Sequence, residues 1–161
     1  MSTVHKDPLK TFRFLVEAEK GGTKGGAVVA AFSQFSGIKV NVETVETRPG
    51  SDPRGVKETI PVLTSFSPVT LTKGVIGDND FIEWLFNSVA GIDRGIKSEN
   101  LYRTINVIAL NDEGKRGVSW SLKDALPIGY ELTPMDSARS EVLSESLTFA
   151  IAGVKRTVLQ S

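Results

Sequence analysis

The sequence contains no cysteine. Disulfides, thiol nucleophiles and cysteine metal ligands are therefore excluded at the outset. It has a single histidine, His5, within a polar N-terminal stretch. A Ser-His-acid triad or a multi-histidine metal centre would have to be built on that one residue. An exposed terminal side chain is the simpler reading, and neither a catalytic residue nor a cofactor or metal is expected. Surplus charge is absent too: Lys plus Arg and Asp plus Glu both number 19. Phosphate backbones are bound mainly by neutralisation with Lys and Arg, so specific nucleic-acid recognition is not expected. Near-zero net charge also removes the self-repulsion that keeps copies of a protein apart, which permits self-assembly. Long apolar runs are missing as well. The longest, Ala27 to Phe32, is too short to cross a bilayer, so direct membrane insertion is not expected. Met1 to Lys10 has no apolar run and does not read as a secretory signal, so a cytoplasmic site of synthesis is expected.

What is present is an ordinary globular composition, 161 residues with 40% hydrophobic and 24% charged side chains. A single domain over 1–161 is expected, long enough to bury roughly 70% of its unfolded surface. Leu9 to Ala18 alternates, with Phe12, Phe14 and Val16 opposite Thr11, Arg13 and Glu17, as a half-buried strand does. The glycines from Gly21 to Gly26 mark a turn, and Ala27 to Phe35 is β-compatible up to Gly37. Ile38, Val40 and Val42 alternate with Lys39 and Asn41, which predicts a second half-buried strand. Glu46 to Thr59, with two prolines and two glycines, reads as an extended loop; strand patterns resume at Ile60 to Leu63 and at Pro68 to Lys73.

One helix is predicted over Asp80 to Ala90. Asp80 is placed to cap it, Glu83 to close a capping box, and Gly91 to stop it. Phe81, Leu85 and Val89 form its core row, widened by Ile82 and Phe86. Arg103 to Leu110 and Gly117 to Leu122 flank Asn111-Asp112-Glu113-Gly114 and read as a β-hairpin. Glu131 to Arg139 is loop-like. The last predicted strand, Val142 to Ile151, places Leu147, Phe149 and Ile151 on one face and Ser144, Ser146, Thr148 and Ala150 on the other. The pattern is mostly strand with one helix and no βαβ alternation.

Motifs with chemistry are weak. Gly91 to Ser98 resembles a phosphate loop, but Ile96 stands where a glycine must precede Lys97, and the segment follows a helix. Asp78, Asn79 and Asp80 lack the glycine and distal glutamate of a calcium loop and are better read as helix capping. Glu43 and Glu46 flank a strand end and read as a solvated rim. An interaction or structural protein is left ahead of an enzyme.

The ordered set of segments resembles the phage tail tube protein family, especially the inner tube proteins of contractile injection systems. Asp7-Pro8-Leu9, Phe12-Arg13-Phe14, Ser36-Gly37-Ile38 and Val40 to Glu46 carry the first part of the resemblance. Ile60-Pro61, Val69-Thr70-Leu71, Lys73-Gly74, Trp84-Leu85, Leu110 to Gly114, Trp120-Ser121-Leu122, Pro127, Tyr130 and Glu141 to Leu147 continue it. Two stretches depart from the pattern: Glu19 to Ala31 is unusually glycine-rich, and Ala152 to Ser161 is longer and less acidic than the family pattern.

The resemblance implies a β-sandwich or barrel with one helix. Six subunits would form a ring whose sheets close into one shared barrel, and rings would stack into a hollow tube. It implies sheath, baseplate and cap proteins as partners, a lumenal cargo, a place in a tail-like particle, and no catalysis, since sheath contraction supplies the energy. The loop from Glu46 to Thr59 would reach a neighbouring subunit or ring through Arg48, Pro49, Asp52, Arg54 and Lys57. Lys39, Asn41 and Glu43, with Ser144, Ser146 and Thr148, are expected to line the channel. The competing expectation is a free-standing β-rich binding or effector domain; loose secreted rings are a closer variant within the same fold.

Overall fold

The computed structural model describes residues 14–19, 27–30, 32–48, 50, 53, 55–75, 83–84, 86–87 and 101–159. Ten strands occur among them: β1 (Phe14–Glu19), β2 (Ala27–Ala30), β3 (Gln34–Phe35), β4 (Val40–Thr47), β5 (Glu58–Phe66), β6 (Val69–Gly74), β7 (Arg103–Leu110), β8 (Arg116–Leu132), β9 (Ser144–Ala150) and β10 (Gly153–Val158). All their pairings are antiparallel. The fold is mostly β, as the sequence patterns require.

β8 organises the body. Its first half lies between β7 and β10, and β1 and β2 continue that sheet beyond β7. Its second half, from Leu126, pairs with β9 instead, and β6 and β3 continue from there. One long strand thus serves two sheets, and two local features let it turn. Asp124 adopts a left-handed backbone (φ 51°), which short polar side chains tolerate. The register then shifts between Pro127 and Gly129, a bulge that bends the strand. Gly129 fits this corner because a Cβ there would sit 3.3 Å from Thr148 Cβ.

The two sheets face each other across one core. Val16 and Ala18, Ile105 and Val107, and Leu122 and Ala125 come from the first sheet; Val69, Leu71, Leu147 and Phe149 come from the second. Trp84 enters between them from a helical segment, Glu83–Trp84 and Phe86–Asn87. Its ring stacks on Phe149 at 5.4 Å, Arg103 lies over the ring at 4.9 Å, and its Nε1–H donates to Leu101 O at 3.0 Å. Replacing Trp84 with Phe keeps much of the apolar volume but leaves the Leu101 carbonyl without this donor. The expected loss is about 1–3 kcal/mol of stability in urea unfolding, with the fold retained.

The hairpin signal at Asn111 to Gly114 is met in detail. Asn111 N donates to Lys115 O, its Oδ1 accepts from Lys115 N, and Gly114 N donates to Asn111 O. Gly114 supplies the positive φ (78°) that the turn needs.

Several expectations are corrected. β8 runs ten residues past Leu122, through Glu131 and Leu132, which were expected in a loop. The segment after Ile151 forms a strand, β10, whose pairing with β8 is non-local and left no strong alternation to read. In the helix, Trp84 is buried while Phe86, assigned to the core row, is 56% exposed. Phe81, Ile82, Leu85 and Val89, the cap at Asp80 and the stop at Gly91 lie outside the described residues, as do Phe12 and the turn glycines 21–26.

Candidate functional site

Two surfaces of the fold are unusual, and both are built from strand alternation. The first is the outer face of the second sheet. On β6, Val69, Leu71 and Lys73 point inward and are buried, so Thr70 and Thr72 point out. On β9, Leu147 and Phe149 point inward, so Ser146 and Thr148 point out. Register places Thr70 beside Thr148 and Thr72 beside Ser146. Their hydroxyls bond to each other at 3.2 and 2.9 Å. At the neighbouring corners Thr133 Oγ1 meets Ser144 Oγ, and Ser36 Oγ accepts from Thr70 N. The face is uncharged along these strands, and its hydroxyls are largely satisfied by one another.

This sheet is also unfinished. β3, only two residues long, forms one edge. At the other edge, Leu126 to Leu132 of β8 pair with β9 and, among the described residues, with no further strand. An open edge presents unpaired backbone donors and acceptors to any strand that can add to it.

The second surface is a projecting arm. β4 and β5 pair only with each other, as a separate two-stranded sheet. Every residue of β4, and every residue of β5 before Phe66, is exposed. Here the structure overturns two readings. The expected burial of one β4 face does not occur within the chain: Ile38 is half-buried, but Val40 and Val42 are exposed. The alternation is real, but among the described residues no core element covers it.

The extended loop is also shorter than Glu46 to Thr59. Cross-strand pairs carry β4 to Thr47 and start β5 at Glu58, and Lys57 Nζ bonds Glu46 Oε2 at 3.1 Å. Both faces of the arm carry apolar side chains, Val40 and Val42 on one, Val45, Ile60 and Leu63 on the other, with Val62 at the register shift 63% exposed. An isolated two-stranded ribbon of this kind is marginal in water.

The site residues named from sequence are thus divided between the two surfaces. Ser144, Ser146 and Thr148 lie on the second sheet. Asn41 and Glu43 lie on the arm, and Lys39 lies at its root, where its carbonyl accepts from Ser67 N at 3.0 Å. Arg48 and Lys57 are exposed at the arm tip, while Pro49, Asp52 and Arg54 fall outside the described residues. Sequence reasoning missed Thr70 and Thr72. The signal was present, since β6 alternates as cleanly as β9.

At the far end of the second sheet, Lys73 is buried on the inner side, in register with Glu145. Tyr130 donates its hydroxyl to Glu145 Oε1 at 3.0 Å. Partial desolvation of the phenol, then the hydrogen bond and charge of Glu145, raise the Tyr130 pKa, so it stays neutral. On the first sheet Glu17 accepts from Arg116, and Ser121 donates to Asn106 Oδ1 at 2.7 Å. Among the described residues no group of three His, Asp or Glu could hold a metal ion, and no helix is long and apolar enough to cross a membrane.

Among the described residues the sandwich thus has an open-edged sheet and an exposed apolar arm that contributes nothing to the core. The family model for the T4-like virus tail tube protein gp19 matches residues 10–155, and the chain belongs to that family. It is a structural subunit of the tube of a phage tail or tail-like particle. Among solved structures it is similar to a chain in the cap of the anti-feeding prophage (TM-score 0.73, 23% identity, 99% of this chain and 97% of that one). It is also similar to a chain of the sheath-tube complex of the extracellular contractile injection system PVC, in the extended state (TM-score 0.71, 20% identity, 94% and 93% covered). A more distant likeness is to a chain in the tail of a gene transfer agent particle (TM-score 0.54, 15% identity, 91% and 96% covered). These likenesses establish a shared fold. No curated protein sequence matches the chain.

Proposed function

We propose that six copies form a ring in which the second sheet of each subunit continues into the next, and that rings stack into a hollow conduit within a contractile sheath. The observation that carries this reading is the second sheet itself. Among the described residues it has open edges on both sides, an inner face led by Val69, Leu71, Leu147 and Phe149, and an outer face of small, mutually bonded hydroxyls along β6 and β9. Joining such sheets edge to edge removes every open edge and closes a barrel. Head-to-tail contacts that close make rings.

The hydroxyl face then lines the channel through Ser144, Ser146 and Thr148, joined by Thr70 and Thr72. Lys39 borders the lumen at the root of the arm, while Asn41 and Glu43 travel with the arm. A wall whose hydroxyls bond to each other offers few free partners, so cargo slides without sticking. The side of the first sheet that carries Asn106 and Ser121 is then turned away from the lumen. Baseplate and cap proteins close the two tube ends. The subunit performs no chemistry of its own; sheath contraction drives delivery.

The channel assignment is tested with single cysteines at Ser146 and Thr148, since the chain has no other thiol. A bulky maleimide should label loose rings readily and be hindered along the middle of long, plugged tubes. Equal labelling in both states would overturn the assignment. A free-standing binding domain is the poorer reading because it leaves the apolar arm uncovered in every state. Native mass spectrometry decides the point, since that reading requires monomers at all concentrations.

A further inference from the structure

Two long antiparallel strands cross both sheets side by side. One is β8; the other is β9 continued by β10 through Ile151 and Ala152, where Ala152 N donates to Lys123 O at 3.0 Å. β9 pairs with the second half of β8 and β10 with the first. On its other side β8 pairs with β7 only as far as Ala125, and the β9–β10 strand pairs with β6 only along β9. Among the described residues each long strand is therefore left with one half open on its outer side: Leu126 to Leu132 of β8, and Gly153 to Val158 of β10.

The two open edges differ in charge. Along Leu126 to Leu132 the single charge is Glu131, and Ile128, Tyr130 and Leu132 are exposed. Along Gly153 to Val158 two cations, Lys155 and Arg156, stand at the centre of the strand with no acid. Both are exposed, and neither forms an ion pair among the described residues. On the neighbouring stretch of β8, Arg116 is held by Glu17, and Lys123, opposite Gly153, is followed by Asp124, so no surplus acid there offsets the two cations. Successive residues of a strand point to opposite faces. Lys155, in register with Ser121, lies on one face, and Arg156, in register with Trp120, lies on the other. A strand laid against this edge meets a cation on either face. A second copy of β10 laid antiparallel about its centre sets Lys155 opposite Arg156 twice, and like charges directly opposite destabilise a pair.

We infer that Lys155 and Arg156 close the β10 edge to strand addition by another copy of the chain. Charged side chains, lysine above all, are one means by which an open edge is kept from pairing. A subunit that also paired through β10 would branch, because each copy would offer a joining edge on the first sheet besides those of the second. Closing β10 confines joining to the second sheet, a consequence that rests on the ring reading.

The test uses the full chain. Lys155→Thr with Arg156→Val removes both charges and keeps residues that suit a strand. Both positions are exposed, so the urea midpoint should stay at the wild-type value. The variant should gain irregular, thioflavin-binding aggregates, seen by sedimentation and electron microscopy, under conditions where wild type gives none. Lys155→Glu with Arg156→Glu restores like charge with the sign reversed and should stay free of aggregates. Mixing that variant with wild-type chains sets opposite charges across the edge and should bring the aggregates back. A neutral variant that assembles as wild type does, a glutamate variant that aggregates alone, or a mixture that stays clear overturns the edge assignment and leaves the ring reading intact. Wild-type chains that stay monomeric at all concentrations overturn the ring reading, while aggregation of the neutral variant still supports the closed edge.

Discussion

Phe149→Ser should cost most of the stability of the subunit. Phe149 is fully buried, stacks on Trp84 and stands in register with Val69 on one side and Pro127 on the other. Both sheets and the helical segment meet at this ring. Truncating a buried Phe typically costs about 3–5 kcal/mol, because the cavity only partly collapses. The serine hydroxyl adds a polar group with no water to bond. A domain with a total of about 5–15 kcal/mol would then be close to unfolding at ambient temperature. Urea denaturation and tryptophan fluorescence should show a large fall in midpoint and a loosened environment at Trp84. A midpoint within experimental scatter of wild type would mean that Phe149 does not sit at the junction of the two sheets. By contrast Thr148→Trp, one residue away on the opposite face, should leave the ring folded and narrow the channel.

The second large effect is on assembly and leaves stability alone. Replacing Arg48 to Lys57 with a short Gly-Ser linker should preserve the fold, because the core contains no residue of β4 or β5. The unfolding transition should move by less than about 1 kcal/mol, as for surface changes away from buried features. Rings should persist and tubes should be lost, read by sedimentation and negative-stain microscopy. Normal tubes from the shortened arm would show that the tip does not join neighbouring subunits. The two variants dissociate folding from assembly: the first attacks the core with the arm intact, and the second removes the arm tip with the core intact.

Some of this was legible in the residues. The inner and outer faces of β9 followed from alternation alone, because Leu147 and Phe149 leave water only if they share a side, and Ser146 and Thr148 are then forced to the other. The β7–β8 hairpin followed from Asn111 to Gly114, a local signal in which one glycine and one side-chain amide close the turn. The lack of cysteine, the lone histidine and the broken phosphate-loop pattern made an interaction or structural protein the leading expectation. The order of many individually weak segments was enough to suggest a tail tube protein.

Other features were decided only by the tertiary structure. Alternation reports that one side of a strand meets apolar atoms; it does not say whose. In β6 and β9 that side meets the facing sheet, whereas in β4 it meets no core residue among those described, so the same pattern yields a core strand and an exposed arm. Pairing is equally silent in sequence when partners are distant. β10 is fixed by Val118 to Lys123, and β8 passes between two sheets only because Asp124 and the bulge at Pro127 to Gly129 bend it. Lys73 is solvent-like by residue type yet 3% exposed, because its strand phase places it inward, in register with Glu145. The physical reason is the same in each case. Local propensity and period are properties of a short stretch, while burial and pairing depend on which distant strand, or which other copy, comes to lie against it.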